Sequence, residues 1–377
     1  MRTEREANRS DPVWSEVARL KDGRAPVAIL GATGTVGQRF IALLSDHPWF
    51  RIVALTASER SAGQKYGEVV RWVQETPLPP EVANLELHPT EPSAAKGCRI
   101  AFSALDSSAA GPAEVAFAEA GMVVISNASS HRMDPDVPLI VPEVNADHLA
   151  LLRSQSYGDG GILTNPNCST IGLVLALKPL VDAYGVERVH CVTMQAVSGA
   201  GFSGIPSVMV LDNLIPFIGG EEEKMETETR KILGRVGDGE IEFNDVKVSA
   251  ACNRVPVSDG HTLCVSVELR EKPSLEELRA TWEGFAGQPQ LLNLPLAPAQ
   301  TIHYIDAPDA PQPRLHRYSD RGMAIVIGRA RPCNLFDYKF VTLSHNTLRG
   351  AAGGALLVAE LAIARGLISG LQVEQSW

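Results

Sequence analysis

Cys168 stands in the run NPNCST, directly after a turn-forming Asn165–Asn167 and directly before a strongly apolar helical stretch. A sulfur at a helix N-terminus sits at the positive end of the helix dipole, so this placement predicts a thiolate nucleophile. A cysteine taken alone is more often a buried structural thiol. Cys98, Cys191, Cys252, Cys264 and Cys333 lack this setting and are read that way. A nucleophilic thiolate needs an acid/base partner to exchange protons with its tetrahedral intermediates. His261, in CNRVPVSDGHTLCVSVE, fits because the turn at Asp259 and Gly260 projects it from the start of a strand toward a cleft. His303, His316 and His345 have no comparable setting.

Two arginines are suited to anionic ligands. Arg254 lies seven residues before His261, and a guanidinium can hold a carboxylate through two parallel hydrogen bonds. Arg132, in NASSHRMDPDVP, follows a predicted parallel strand, at the edge where open α/β sheets bind ligands, and this suits phosphate. The bland alternative for either is a surface salt bridge.

A third signal is the loop GATGTVG between an apolar strand and a helix. Gly31, Gly34 and Gly37, with Thr33, Thr35 and Val36 between them, let backbone amides approach a pyrophosphate at the helix N-terminus. The spacing is GxxGxxG, not GxGxxG, and a plain tight turn is the alternative. The second strand ends in TASERSAGQ, where Ser58, Arg60 and Ser61 can bind a 2′-phosphate, so NADP(H) is favoured over NAD, although Glu59 is also present.

The elements that must position these groups are legible in outline. PVAIL, Phe50 to Leu55, RIAFSAL and MVVISNAS read as short buried strands alternating with helices, which predicts a Rossmann-type, doubly wound parallel sheet. After the long helix ending at Gly185, the runs RVHCVTMQAV, DVKVSAACNRVPV, HTLCVSVEL and MAIVIGRARP are rich in β-branched residues. They predict a second, α+β domain with a mixed sheet. GEEEKMETETRKILG reads as a charged helix, acidic at its start and basic at its end, for which a solvated face is the bland alternative. The expected division is an extension over 1–24, a nucleotide domain over 25–165 completed by 346–377, and a catalytic and dimerisation domain over 166–345.

Composition narrows the function classes. The 377 residues are 45% hydrophobic and 21% charged, ordinary for a globular protein of two domains. A net charge of −10 argues against nucleic acid or anionic membrane as partner. Six cysteines without CxxC spacing suit neither a disulfide framework nor a metal site, and the charged N-terminus lacks a signal-peptide core, so a cytoplasmic setting is expected. Ala351 to Ser369 carries Glu360 and Arg365 and reads as a packed helix, not a membrane span.

Taken together, GATGTVGQRF, HRMDPDVPLIVPEVN, NPNCST, QAVSGAG, IPFIGGEEEKMETETRKILG, CNRVPVSDGHT and SHNTLRGAAGG, in this order, resemble the aspartate-semialdehyde dehydrogenase family, its archaeal and fungal branch in particular. The match runs from Val27 to about Glu360. The resemblance implies that Cys168 attacks an aspartyl phosphate, phosphate leaves, and NADPH reduces the thioester to the semialdehyde, with His261 as general acid/base. It further implies Arg254 for the substrate carboxylate, Glu222 for its amine, Gln195 for orientation, Arg132 with Lys224 for phosphate, and Asn346 near the nicotinamide. A homodimer or homotetramer joined through the second sheet is expected, supplying lysine, threonine and methionine synthesis or a specialised pathway that draws on the same aldehyde. The loop around Gly199 and Gly201 is expected near the active site. Leu263 departs from the family pattern, where an acidic residue is expected after the GHT turn.

Three other readings compete. Malonyl-CoA reductase resembles the same branch and uses the same thioester logic, but a CoA substrate needs room for its pantetheine arm. N-acetyl-glutamyl-phosphate reductase shares the chemistry with a different cysteine motif. A catalytically silent NADP-binding sensor is disfavoured by the presence of both Cys168 and His261.

Overall fold

The computed structural model describes residues 19–21 and 23–374. The apolar runs of the N-terminal half form β1 (Ala25–Leu30), β2 (Phe50–Ala57), β3 (Leu87–Pro89), β4 (Ile100–Ser103), β5 (Val123–Ser126) and β6 (Gly161–Thr164). They pair in the order β3-β2-β1-β4-β5-β6, all parallel. Every residue of β4, β5 and β6 is buried, as a sheet covered on both faces requires. Helices α1 (Thr35–Leu44) and α2 (Ser107–Glu119) follow β1 and β4. Strand order reverses at β1 and β4, so the crevice beyond their carboxyl ends is the place for a ligand.

The chain then enters α3 (Cys168–Tyr184), which Gly185 terminates. The second sheet comprises β7 (Val186–Gln195), β8 (Lys247–Arg254), β9 (His261–Leu269), β10 (Ile302–Ile305), β11 (Ile325–Pro332) and β12 (Tyr338–Ser344), in the order β8-β7-β9-β12-β11-β10 with mixed directions. Its core holds Leu173, Leu177, Val189, Val265, Trp282 and Phe340, so α3 covers one sheet face. Between β7 and β8 lies α4 (Glu221–Ile232).

The last helix, α5 (Gly353–Ala364), returns to the first sheet and shares a core with Val27, Ile29, Phe40 and Phe102. Its Glu360 is fully buried, with Oε1 2.8 Å from His47 Nε2 and Oε2 accepting from the Leu296 amide at 3.0 Å. Burial pushes this carboxyl up from its ordinary value, and the His47 bond opposes that push. Among the described residues no helix is long and apolar enough to cross a membrane.

Most of the expected extension over 1–24 lies outside the described residues. Its described end is anchored, not loose: Leu20 is buried and bridges to Val373, and the Lys21 amide donates to the Gln372 carbonyl at 3.0 Å. The expected acidic position is occupied by Leu263, wholly buried in the second core, where apolar bulk costs nothing and a charge would need a partner.

Candidate active site

Asn167 caps α3: its side-chain Oδ1 accepts from the amides of Ser169 at 2.9 Å and Thr170 at 3.2 Å. The cap starts the helix at Cys168 and aims its sulfur into a pocket between the two sheets. His261, the first residue of β9, places Nε2 3.2 Å from Cys168 Sγ. The other ring nitrogen, Nδ1, accepts the Ala196 amide proton at 3.0 Å. The Ala196 carbonyl in turn accepts from Arg254 Nη1 at 2.7 Å, so one residue just beyond the end of β7 holds both side chains. A Cβ at Gly199 would lie 2.9 Å from Arg254 Nη1 and 3.3 Å from the His261 ring, so a side chain there would displace the arginine tip.

The electrostatics differ from the sequence expectation of a helix-stabilised thiolate. Burial, then the Glu221 carboxylate, pushes the Cys168 thiol up to about 12, against the pull of Arg132, Arg254 and the Ser169 amide. Burial, then Arg254 and His345, holds His261 down at about 3. Both shifts favour the neutral forms, because desolvation outweighs the helix end.

Helix α4 supplies the rest of the site from one face. Glu221, Lys224, Glu228 and Lys231 recur at helical spacing and point inward. The Glu221 carboxylate accepts from Asn167 Nδ2 at 2.8 and 3.0 Å, from Lys224 Nζ at 3.2 Å and from Gln195 Nε2 at 3.3 Å. Glu228, buried, accepts from Arg132 Nη1 at 2.9 Å with one oxygen and from the Asn167 amide at 2.7 Å with the other. Lys231 Nζ donates to the carbonyls of Arg132, Asp134 and Val137 at 2.7 to 2.8 Å, which fixes the loop that carries Arg132. Asn346 Oδ1 accepts from the Gly260 amide and its Nδ2 donates to Ser198 Oγ, both at 2.8 Å. The resulting pocket, of about 270 Å³, is lined among others by Cys168, Arg132, Gln195, Glu221, Lys224 and Arg254.

A larger cleft, of about 730 Å³, adjoins it and shares Thr35, Val36, Asn127 and Gly201 with it. Gly31, Thr33, Gly34 and Ser58 line this cleft. Gly31 adopts φ +75°, and a Cβ there would lie 2.8 Å from the Ala104 carbonyl, so only glycine passes between β1 and β4. Gly37 does not face the cleft: it is buried, with the Gly31 carbonyl 2.4 Å from where its Cβ would be, and serves close packing of α1 on the loop. Ser61 and the exposed Arg60 lie in the turn after Ser58 and are not among the lining residues.

Two family models cover most of the described chain: a semialdehyde dehydrogenase NAD binding domain over residues 26–152 and a semialdehyde dehydrogenase dimerisation domain over 177–349. The aspartate-semialdehyde dehydrogenase of Schizosaccharomyces pombe is 48% identical, aligned over 91% of this chain and 99% of its own length. The chain belongs to the aspartate-semialdehyde dehydrogenase family. The family's Archaeoglobus fulgidus member is 49% identical over 92% of this chain and its whole length. Among solved structures, the aspartate-semialdehyde dehydrogenase of Candida albicans with NADP superposes at a TM-score of 0.86, with 43% identity over 91% of this chain and all of that one. Aspartate-semialdehyde dehydrogenase II of Vibrio cholerae complexed with ASA gives 0.71, with 28% identity over 90% of this chain and 98% of its own.

One expected site residue of this dehydrogenase is misplaced by one position. Glu222 is exposed and turned away, its Oε1 accepting from the Cys252 amide of β8 at 3.0 Å. One helical residue rotates a side chain by about 100°, so the pocket carboxylate is Glu221. Glu221→Gln is expected to lower kcat/KM about 10- to 100-fold, the worth of a buried hydrogen bond to a charged group. Glu222→Gln keeps its acceptor oxygen and is expected to stay within about twofold, so steady-state kinetics of the pair separate the two assignments.

Sequence reasoning also passed over Glu228 and Lys231. Glu228→Gln leaves Arg132 without its counter-charge and is expected to lower unfolding free energy by about 2 kcal/mol. Urea denaturation measures the effect.

Proposed function

We propose that the chain carries out the NADPH-dependent reductive dephosphorylation of L-aspartyl-4-phosphate to L-aspartate-4-semialdehyde, through a thioester on Cys168. The observation that carries this reading is a thiol 3.2 Å from a histidine in a pocket bearing Arg132, Arg254 and Lys224 with Glu221. Three cations and a carboxylate match a ligand with a carboxylate, a phosphate and an ammonium group. Arg254 receives the carboxylate, Glu221 the ammonium, and Arg132 with Lys224 the phosphate, while Gln195, bonded to Glu221, orients the acyl carbon beside the sulfur. Arg132 and Arg254 each bury an Nε with no hydrogen-bond partner among the described residues.

NADP fits the adjoining cleft: the glycine loop at the start of α1 leaves backbone amides open to a pyrophosphate, and the cleft meets the Cys168 pocket at Thr35, Val36 and Asn127. When bound it supplies the hydride. Gly31, Thr33, Gly34, Thr35 and Val36 would hold its phosphates, Ser58 with Arg60 and Ser61 its 2′-phosphate, and Asn346 would stand toward the nicotinamide. The division of labour between residues 25–165 with 346–377 and residues 166–345 follows the two sheets. A homodimer or homotetramer is supported by the open face of the second sheet, where Val192, Val341 and exposed Cys264 stand side by side. Six free thiols suit the cytoplasm.

Phosphate-dependent NADP reduction with L-aspartate semialdehyde, run beside malonyl-CoA with NADPH, tests the assignment. Activity with the semialdehyde only is expected. Malonyl-CoA reduction without it would replace the substrate while keeping the thioester, and silence in both assays would remove the catalytic reading.

A further inference from the structure

Helix α4 brings a buried ammonium to the backbone of the loop that carries Arg132. A lysine Nζ has three N–H donors and no acceptor, and Lys231 uses all three. They go to the carbonyls of Arg132 at 2.8 Å, Asp134 at 2.7 Å and Val137 at 2.8 Å, so peptide oxygens surround the cation as they would a bound metal ion. One helical turn earlier, Glu228 Oε1 accepts from Arg132 Nη1 at 2.9 Å, while the Asn127 carbonyl accepts from Nη2 at 2.8 Å. Residues 228 and 231, neighbours on one helix face, therefore fix the head and the backbone of the same arginine. Glu228 Oε2 also accepts the Asn167 amide proton at 2.7 Å, which ties this face to the start of α3.

We infer that Lys231 is a positioning residue for phosphate: its ammonium gathers three carbonyls of the loop after β5 and so holds the Arg132 guanidinium toward the Cys168 pocket. The inference rests on the proposed role of Arg132 as a phosphate ligand. Lys231 itself is not among the pocket-lining residues and acts only through Arg132. Burying a charge costs solvation that an apolar side chain of similar length would not lose, so filling space does not explain an ammonium here. What the ammonium adds is direction, because three donors set three peptide planes at once.

That direction depends on the charge. Burial pushes Lys231 down from its ordinary value to about 8, against Asp134 and Asp136 of the loop and Glu228 of α4, which favour the charged form. His131 engages Asp134 at 2.7 Å on the loop's outer side, and His148 approaches from residues 146–154, where burial holds it below its ordinary value. Loss of the Lys231 proton leaves two donors for three carbonyls and turns a lone pair toward the third. Phosphate affinity is then full below about pH 8 and falls as the pH rises through that value. Phosphate is already a dianion there, so the ligand does not cause the fall.

Protection of Cys168 from iodoacetamide by inorganic phosphate reads the site without turnover, with steady-state kinetics run beside it. Lys231→Met keeps the length and removes the donors. It is expected to raise the half-protecting phosphate concentration and the KM for phosphate about tenfold, with kcat and the KM for NADP within about threefold of wild type. Across about pH 7 to 9.5 the wild-type half-protecting concentration is expected to rise, and Lys231→Arg, whose charge persists there, is expected to lack the rise. Unchanged phosphate affinity in Lys231→Met overturns the inference. A loss shared equally by kcat and both KM values, in step with lowered stability in urea, overturns it too, since that marks a merely structural role. A flat wild-type profile, or an equal rise in Lys231→Arg, has the same force, and the wild-type profile decides even if Lys231→Met does not fold. Arg132→Ala separates this inference from the reading beneath it. If phosphate protects that variant as it does wild type, the phosphate role of Arg132 falls and that of Lys231 with it; if protection is lost there but intact in Lys231→Met, only the role of Lys231 falls.

Discussion

Cys168→Ala is expected to lower phosphate-dependent NADP reduction by about four orders of magnitude or more while leaving cofactor binding intact. No other thiol can replace it. The sulfur alone stands 3.2 Å from His261 in the pocket with Arg132, Arg254 and Lys224, whereas Cys191 and Cys252 are buried in the second sheet and Cys264 is on its open face. Cofactor titration by fluorescence beside the activity assay separates the two effects. Residual activity within about tenfold of wild type would transfer the chemistry to another residue. Cys168→Ser is expected to be nearly as inactive, because a hydroxyl ionises far less readily than a thiol and gains little from one hydrogen bond to a neutral ring.

The largest effect on stability is expected at a place remote from the chemistry in sequence. Arg349 is fully buried, with Nη1 donating to Glu143 Oε1 at 2.8 Å and Nη2 to Glu143 Oε2. This pair joins the turn after β12 to the segment before β6, and Gly287 packs directly on Glu143. Arg349→Met strands the carboxylate in the core and is expected to cost about 3–5 kcal/mol of stability, seen as a lower midpoint in urea or heat. The double change Glu143→Leu with Arg349→Met removes both charges and is expected to recover much of that loss. If the single change were harmless, the pair would contribute nothing. The adjoining Gly350 lies against Cys168, where a Cβ would come within 2.8 Å of the cysteine Cβ, so the same turn couples stability to the nucleophile.

How much of this was readable beforehand depends on the range of the interaction involved. The strands of the first sheet were legible because a sheet covered on both faces demands short, wholly apolar runs, and IAFS and VVIS are such runs. Cys168 was legible because its signal is local: an Asn cap, then a helix. Helix α4 was recognised as a helix, but only the resemblance, and no local signal, turned its start toward the substrate. Glutamates and lysines at helical spacing normally mark a solvated face, and nothing nearby in sequence shows that Arg132 and Asn167, dozens of residues upstream, arrive to meet them. The same blindness produced the shift from Glu221 to Glu222, since three consecutive glutamates give no sign of which one turns inward.

The ionisation of the site is less legible in sequence for a related reason. A helix N-terminus is visible in sequence and favours a thiolate, whereas burial depends on everything packed around the sulfur and here pushes the other way. The sequence by itself determined the α/β architecture with its two sheets, the glycine loop, and the candidacy of Cys168 and His261, because each is written in residues close together along the chain. The tertiary structure alone decided which carboxylate enters the pocket, what restrains Arg132, and that His261 comes to rest beside Cys168, because those depend on bonds between distant segments whose directions only the packed fold sets.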